Sequence, residues 1–359
     1  MLTFRIRNLA VLSLSALLIA AGCGSNSNSA NNAGNTGANG SLSAKETSSA
    51  APDKLNIKVS FYPMYEFTKN IVGNLADVET LVPAGIEPHD WEPTAKDMAA
   101  ITGADVLIYN GAGMEGWVEQ VLDSASGSKL VTVEASKGLN IIEGTEEEEP
   151  HAEGEADDHD HAGEDHEHED EAHAEEEPGH NHDHGGLDPH VWLAPSLAIK
   201  EVRTIEAALS AASPENAAAF QTNADSYVAK LEQLDQDFKD GLAGTKRTDF
   251  ITQHAAFGYL AKEYGLSQVP IAGLSPEQEP SAAQMAEIVE FAKAHDVKTI
   301  FFETLVSSSV ADTIAQEIGA KSAVLNPIEG LTDEDRSNEL DYVAIMRQNL
   351  EALKTALNE

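Results

Sequence analysis

Residues 213–241 read SPENAAAFQTNADSYVAKLEQLDQDFKDG. Phe220, Ala224, Tyr227, Leu231, Leu234 and Phe238 recur at spacings of three and four, so they share one face of an α-helix. Ser213 is placed to cap it, Pro214 suits its first position, where a missing N–H costs nothing, and Gly241 suits its end. A helix of about 27 residues extends about 40 Å. The fold is decided by what stands on either side of it.

Ahead of the helix, strand-like and helix-like segments alternate. KLNIKVSFYP (54–63), VETLVPAG (78–85), DVLIYNG (105–111) and KLVTVEAS (129–136) read as strands. MYEFTKNIVGNLA (64–76), a segment from about Thr94, and EGWVEQVLDSA (115–125) read as helices between them. Behind the helix the pattern returns: strands TDFITQH (248–254), VPIAGL (269–274), VKTIFFE (297–303) and KSAVLNP (321–327) are separated by three helical segments. A closing helix spans about 338–357. Strands alternating with helices build βαβ units around a parallel sheet. The fold class is therefore α/β, with two lobes, each a mostly parallel sheet flanked by helices, joined by one long α-helix. The N-terminal lobe is 53–212, the linking helix 213–241 and the C-terminal lobe 242–359.

Arg5 and Arg7 precede an apolar run from about Leu9 to Ala21, followed by Gly22 and Cys23. About 13 apolar residues are too few to span a membrane, which takes about 20. The pattern reads as an export signal over 1–22. Cys23 is the only cysteine, so no disulfide forms within the chain. Its position after IAAG resembles the lipobox of bacterial lipoproteins, with Ala20 where leucine is more usual, which implies an acylated Cys23 holding the mature chain to a lipid membrane. Residues 23–52, rich in Asn, Ser, Gly and Ala, read as a flexible tether.

The formal charge of −39 excludes nucleic acid, whose phosphates demand Lys and Arg. Much of that charge sits in one place. Between Glu143 and Asp183 lie 20 of the 61 acidic residues and none of the 22 basic ones, and residues 151–186 hold nine of the 13 histidines. With no apolar side chain to fix it to a core, the insertion at 143–186 is expected to be disordered when metal-free.

Two motifs read as decoys. Gly111, Gly113 and Gly116 follow a strand with dinucleotide-fingerprint spacing, but that strand is the third and not the first of its domain. Asp158, Asp160, Gly163 and Glu169 fall at calcium-loop positions, yet Ala162 occupies a ligand position and no amphipathic helix flanks them.

Four other residues stand out. His89 lies beyond a first-lobe strand, His190 in LDPHVWLAP (187–195), His254 directly after TDFITQ and Glu303 directly after VKTIFF. Exits from parallel strands are where open α/β sheets bind ligands. His295, at a helix end, lacks that setting and reads as a surface residue.

PHDWEPT (88–94), DPHVWLAP (188–195), HAAFGYLAKEYGL (254–266), GLSPEQEPS (273–281) and FFETLVSSSVADTIAQEIGA (301–320) together resemble the zinc-type solute-binding lipoproteins of bacterial metal ABC importers, the high-affinity zinc uptake type of cluster A-I. The resemblance runs from about Leu55 to the C-terminus. It implies a rigid linking helix, a metal in the cleft between lobes, and ligands His89 and His190 from the first lobe with His254 and Glu303 from the second. It further implies a monomer on the outer face of the cell membrane that hands Zn²⁺ to a membrane permease. Ala194, Ala255 and Trp91 depart from the family's usual Asp, acidic residue and Tyr, and none of these is a ligand position.

Three imidazoles and one carboxylate suit Zn²⁺ better than Mn²⁺. Four protein ligands fill a tetrahedron, whereas catalytic zinc keeps a position open for water. This disfavours an enzyme; a zinc hydrolase and a surface metal store or adhesin are the alternatives. In the insertion, His159, His161, His166, His168, His180, His182 and His184 are expected to bind zinc more weakly, because ordering the chain around a metal costs about 1 to 2 kcal/mol per residue.

Overall fold

The computed structural model describes residues 54–144 and 186–359. The expected export signal, Cys23, the expected tether and every histidine of the insertion lie outside the described residues.

The first sheet is built from β1 (Leu55–Val59), β2 (Ala76–Thr80), β3 (Val106–Tyr109) and β4 (Val131–Glu134), all parallel, in the order β2-β1-β3-β4. The apolar Ile57, Val59, Val106 and Ile108 are buried on it. The crossovers are α1 (Tyr62–Val72), α2 (Ala95–Thr102) and α3 (Val118–Ser124). Thr94 starts α2 through a reciprocal cap: its hydroxyl accepts from the Asp97 N–H, and the Asp97 carboxylate accepts from the Thr94 N–H at 2.9 Å.

A 3₁₀ turn (Val191–Leu193) leads into α4 (Pro195–Ala212), which packs along α5 (Ala217–Leu242). All six residues expected on the apolar face of α5 are buried, and Val228 and Leu242 join them. The start of the helix differs from the expectation. Ser213 terminates α4, its hydroxyl turned to Glu215 at 2.7 Å, so residues 214–216 form a turn and α5 begins at Ala217.

The second sheet repeats the first. β5 (Asp249–Thr252), β6 (Ser267–Pro270), β7 (Thr299–Phe302) and β8 (Lys321–Val324) are parallel in the order β6-β5-β7-β8. They are joined by α6 (Gly258–Tyr264), α7 (Ala282–Ala294) and α8 (Ser309–Ile318). Two short corrections apply. β6 begins two residues earlier than its apolar run, and after a separate short helix, α9 (Asp333–Ser337), the closing helix α10 (Tyr342–Ala356) starts at Tyr342 instead of about residue 338, capped by the Asp341 carboxylate.

α5 touches α1 and α4 of the first half of the chain and α6 and α10 of the second. Its buried face therefore belongs to a core shared by both halves. Tyr342 of α10 is buried edge-on against Phe67 of α1, with ring centroids 5.3 Å apart, and its hydroxyl donates to the Trp192 carbonyl. The Trp192 indole N–H in turn donates to the Pro327 carbonyl at 2.8 Å. Burying an aromatic ring of this size stabilises by about 2 to 3 kcal/mol, so these rings hold the lobes in one arrangement. No helix among the described residues is long and apolar enough to cross a membrane.

Candidate metal centre

Each side chain of the site sits on a loop whose shape is fixed by local hydrogen bonds. In the loop after β2, both oxygens of Glu87 accept from the His89 N–H, at 3.1 and 3.0 Å. In the turn before the 3₁₀ helix, Asp188 Oδ1 accepts from the His190 N–H at 2.9 Å and lies 2.8 Å from its Nδ1. One carboxylate thus sets both the backbone and the ring of His190. Two residues past β5, the His254 carbonyl accepts from Thr252 Oγ1 and Gln268 Nε2, while His254 Nδ1 lies 2.7 Å from Glu303 Oε1.

The fourth member is Glu329, in the sequence NPIEG (326–330) beyond β8. Its neighbour Ile328 is fully buried with φ of 60°, a conformation that strains a β-branched residue by about 1 to 3 kcal/mol. The strain is held by Asn326 Oδ1, which accepts from the Ile328 N–H, and by Asn349, which bonds both the N–H and the carbonyl of Asn326. That kink brings the Glu329 carboxylate to the three histidines.

The ligand atoms of His89, His190, His254 and Glu329 all lie within 4.8 Å of one another, and all four residues are buried. Nε2 of His190 is 3.3 Å from that of His89 and 3.4 Å from that of His254. Glu329 Oε1 is 3.4, 3.3 and 3.4 Å from the Nε2 atoms of His89, His190 and His254. A tetrahedron with metal–ligand bonds of about 2.0 to 2.1 Å has edges of about 3.3 to 3.4 Å. Five of the six edges thus have the length that a tetrahedral zinc requires.

Protonation follows the same geometry. With Nδ1 of His190 donating to Asp188 and Nδ1 of His254 donating to Glu303, each turns Nε2 inward, the position where an ion takes the place of a proton. Burial lowers the His89 pKa to about 4. For His254 burial acts the same way, but Glu303 and Glu329 outweigh it and hold the pKa well above the ordinary value; His190 is raised by Asp188 and Glu329 against the same opposition. Burial would raise Glu329, yet its three histidine partners hold it well below the carboxylate range. The cluster is a set of proton positions that a dication can replace.

The structure brings His89, His190 and His254 together, and the carboxylate of the second lobe that reaches their Nε2 atoms is Glu329. Glu303 stands behind His254, against the opposite ring nitrogen. Strand-exit reasoning favoured Glu303 because it directly follows β7, whereas Glu329 lies five residues past β8 and reaches the site only through the Ile328 kink. The stretch NPIEG around Glu329 carries no spacing signal that marks this kink in the sequence.

The glycine motif is also accounted for. The Glu115 carboxylate accepts from the Asn110 and Gly111 N–H groups at 2.8 and 2.9 Å, the place a phosphate would need. A Cβ on Gly111 would stand 2.6 Å from Glu134. His295 stacks on Phe291 with centroids 3.9 Å apart, at the surface and away from the cluster. Ala194 caps α4, Ala255 donates its N–H to Gly273, and Trp91 packs on Trp117.

The family profile described as "Zinc-uptake complex component A periplasmic" matches residues 57–356. The high-affinity zinc uptake system protein ZnuA of Bacillus subtilis is 48% identical over 318 residues, 89% of this chain and 92% of that protein. The zinc-binding lipoprotein AdcA of Streptococcus pneumoniae is 43% identical over 309 residues, and this chain spans only 57% of its length. Among solved structures, the Zn(II)-bound ZnuA-like domain of S. pneumoniae AdcA superposes with a TM-score of 0.68 at 40% identity, covering 86% of this chain and 100% of that one. The metal-dependent lipoprotein YcdH of B. subtilis gives 0.67 at 45% identity, covering 85% and 100%.

Proposed function

The chain belongs to the zinc-uptake complex component A family of solute-binding proteins, and from that premise we propose that it captures Zn²⁺ outside the cytoplasm and delivers it to an ABC permease for import. The observation that carries the reading is the set of 3.3 to 3.4 Å edges among His89, His190, His254 and Glu329. These four residues hold the ion. Zinc is cargo here, taken up and released.

Four protein ligands around one ion leave no position for an activated water, so the chemistry is capture and not turnover. Glu303 and Asp188 act through His254 and His190, orienting each ring and sharpening the inward lone pair. Acylated Cys23 tethers the protein to the outer face of the membrane, where a permease is within reach. The insertion's histidines act as a weaker collector feeding the cleft; their imidazoles lie among carboxylates that favour the protonated form, so mild acid empties them.

A chelator-competition titration tests this reading. The full chain and a variant lacking residues 146–185 should share one tight zinc site, abolished in both by His254→Ala. Zinc binding that survives His254→Ala with unchanged tightness would leave the insertion as the principal site and favour a surface store.

A further inference from the structure

Two of the proposed ligands, His190 and His254, sit on segments from different lobes, yet their Nε2 atoms must stand 3.4 Å apart to share an ion. Tyr259, the second residue of α6 and five residues beyond His254, is buried and spans the same gap. Its hydroxyl donates to the Asp188 carbonyl at 2.8 Å and accepts from the Ile142 N–H at 3.0 Å. The residue before it leaves no slack. A Cβ added to Gly258 would stand 2.7 Å from Asp188 Oδ2 and 3.4 Å from the Ile142 side chain.

Ile142 and Asp188 are not arbitrary partners. The Asp188 N–H donates to the Ile142 carbonyl at 3.0 Å, Glu143 and Leu187 pair as an antiparallel bridge, and Gly144 donates to Gly186 at 2.7 Å. These residues form a neck that closes the two ends of the insertion. From the first lobe, Asn110 Nδ2 donates to the Pro189 carbonyl at 2.9 Å. The turn that carries His190 is therefore gripped from both lobes, and Tyr259 supplies the hydroxyl bond from the second lobe to both strands of the neck.

We propose that Tyr259, seated by Gly258, is a positioning residue for the zinc site: its hydroxyl fixes the Asp188–His190 turn and the neck of the insertion at the distance from His254 that a shared ion requires. The inference rests on the zinc-capture reading above. Tyr259 touches no ligand atom and acts through Asp188, whose carboxylate orients the His190 ring.

Tyr259→Phe in the full chain removes only the hydroxyl and leaves the buried Asp188 carbonyl and the half-buried Ile142 N–H without their bonds. Zinc affinity at the tight site, measured by chelator competition, should fall about tenfold, mainly through faster release. At one equivalent of Co²⁺, the visible d–d absorption of the bound ion should change shape, a readout that a loss of fold stability alone would not move. Gly258→Ala, which displaces Asp188 by a different route, should do the same. Affinity within twofold of wild type together with an unchanged Co²⁺ spectrum in both variants would overturn the proposal, whatever happens to the melting temperature. Tight zinc binding left unchanged by His254→Ala in a chain with Tyr259 intact would instead overturn the functional reading on which it rests.

Discussion

Glu303 Oε1 lies 2.7 Å from Nδ1 of His254, on the far side of the imidazole from the Nε2 atom that faces Glu329 at 3.4 Å. The two carboxylates of the second lobe thus bracket one ring. On the proposed reading Glu329 completes the ligand set, while Glu303 holds the ring.

The two positions should separate in a titration. Glu329→Ala removes a ligand and should weaken zinc binding by several powers of ten. Glu303→Gln keeps a hydrogen-bonding group beside Nδ1 and should cost about 10- to 100-fold, as for other residues that orient a metal-bound histidine. Equal losses in the two variants, measured by chelator competition, would show that the roles are not distinct.

Zinc uptake should release protons. The pKa of His254 is held well above its ordinary value and that of His190 is raised, so near neutral pH the zinc-free cluster carries protons that the ion must displace. His89, near 4, is already neutral and releases none. Affinity should therefore fall as the pH is lowered from 8 to 6. Calorimetry in buffers of different ionisation enthalpy counts the protons; a count of zero at pH 7 would contradict the predicted protonation.

Glu201 gives a second pH dependence, away from the metal. It is fully buried in α4, and among the described residues neither carboxylate oxygen has a hydrogen-bond partner. Burial first, and the Glu115 carboxylate second, push its pKa well above the usual range. A raised carboxyl pKa means that the folded state binds the proton more tightly than the unfolded one. Its contribution to stability is fully present below the unfolded value of about 4.3 and declines as the pH rises toward the folded value. Glu201→Gln, neutral at every pH, should raise the melting temperature more at pH 8 than at pH 5. A substitution effect independent of pH would refute this.

The shared core predicts that the lobes are coupled. Tyr342→Ala removes the ring packed on Phe67 and the hydroxyl bonded to Trp192, and it should destabilise the protein by about 3 to 5 kcal/mol, as for other large-to-small changes in a core. Denaturation should remain a single transition for the wild type. Two separate transitions would mean that each lobe has a core of its own.

Much of this architecture was legible because apolar periodicity and turn chemistry are local. The face from Phe220 to Phe238 was readable as one side of α5, the strand exits led to the buried His89 and His254, and the motif around His190 led to the third histidine. What escaped was non-local. Ser213 looks like a cap for the helix after it, but the preceding helix claims it. Glu329 depends on an isoleucine at positive φ held by Asn326 and Asn349, the latter on α10, and no spacing rule encodes such a kink. The grip of Tyr259 on Asp188 joins residues 71 positions apart.

The most direct test is a crystal structure of the protein with one equivalent of zinc, with anomalous scattering recorded at the zinc edge. One peak is predicted about 2.0 to 2.1 Å from Nε2 of His89, His190 and His254 and from Oε1 of Glu329, with no water bound to the ion. A peak elsewhere, or a three-histidine zinc whose fourth ligand is water or Glu303, would contradict the account.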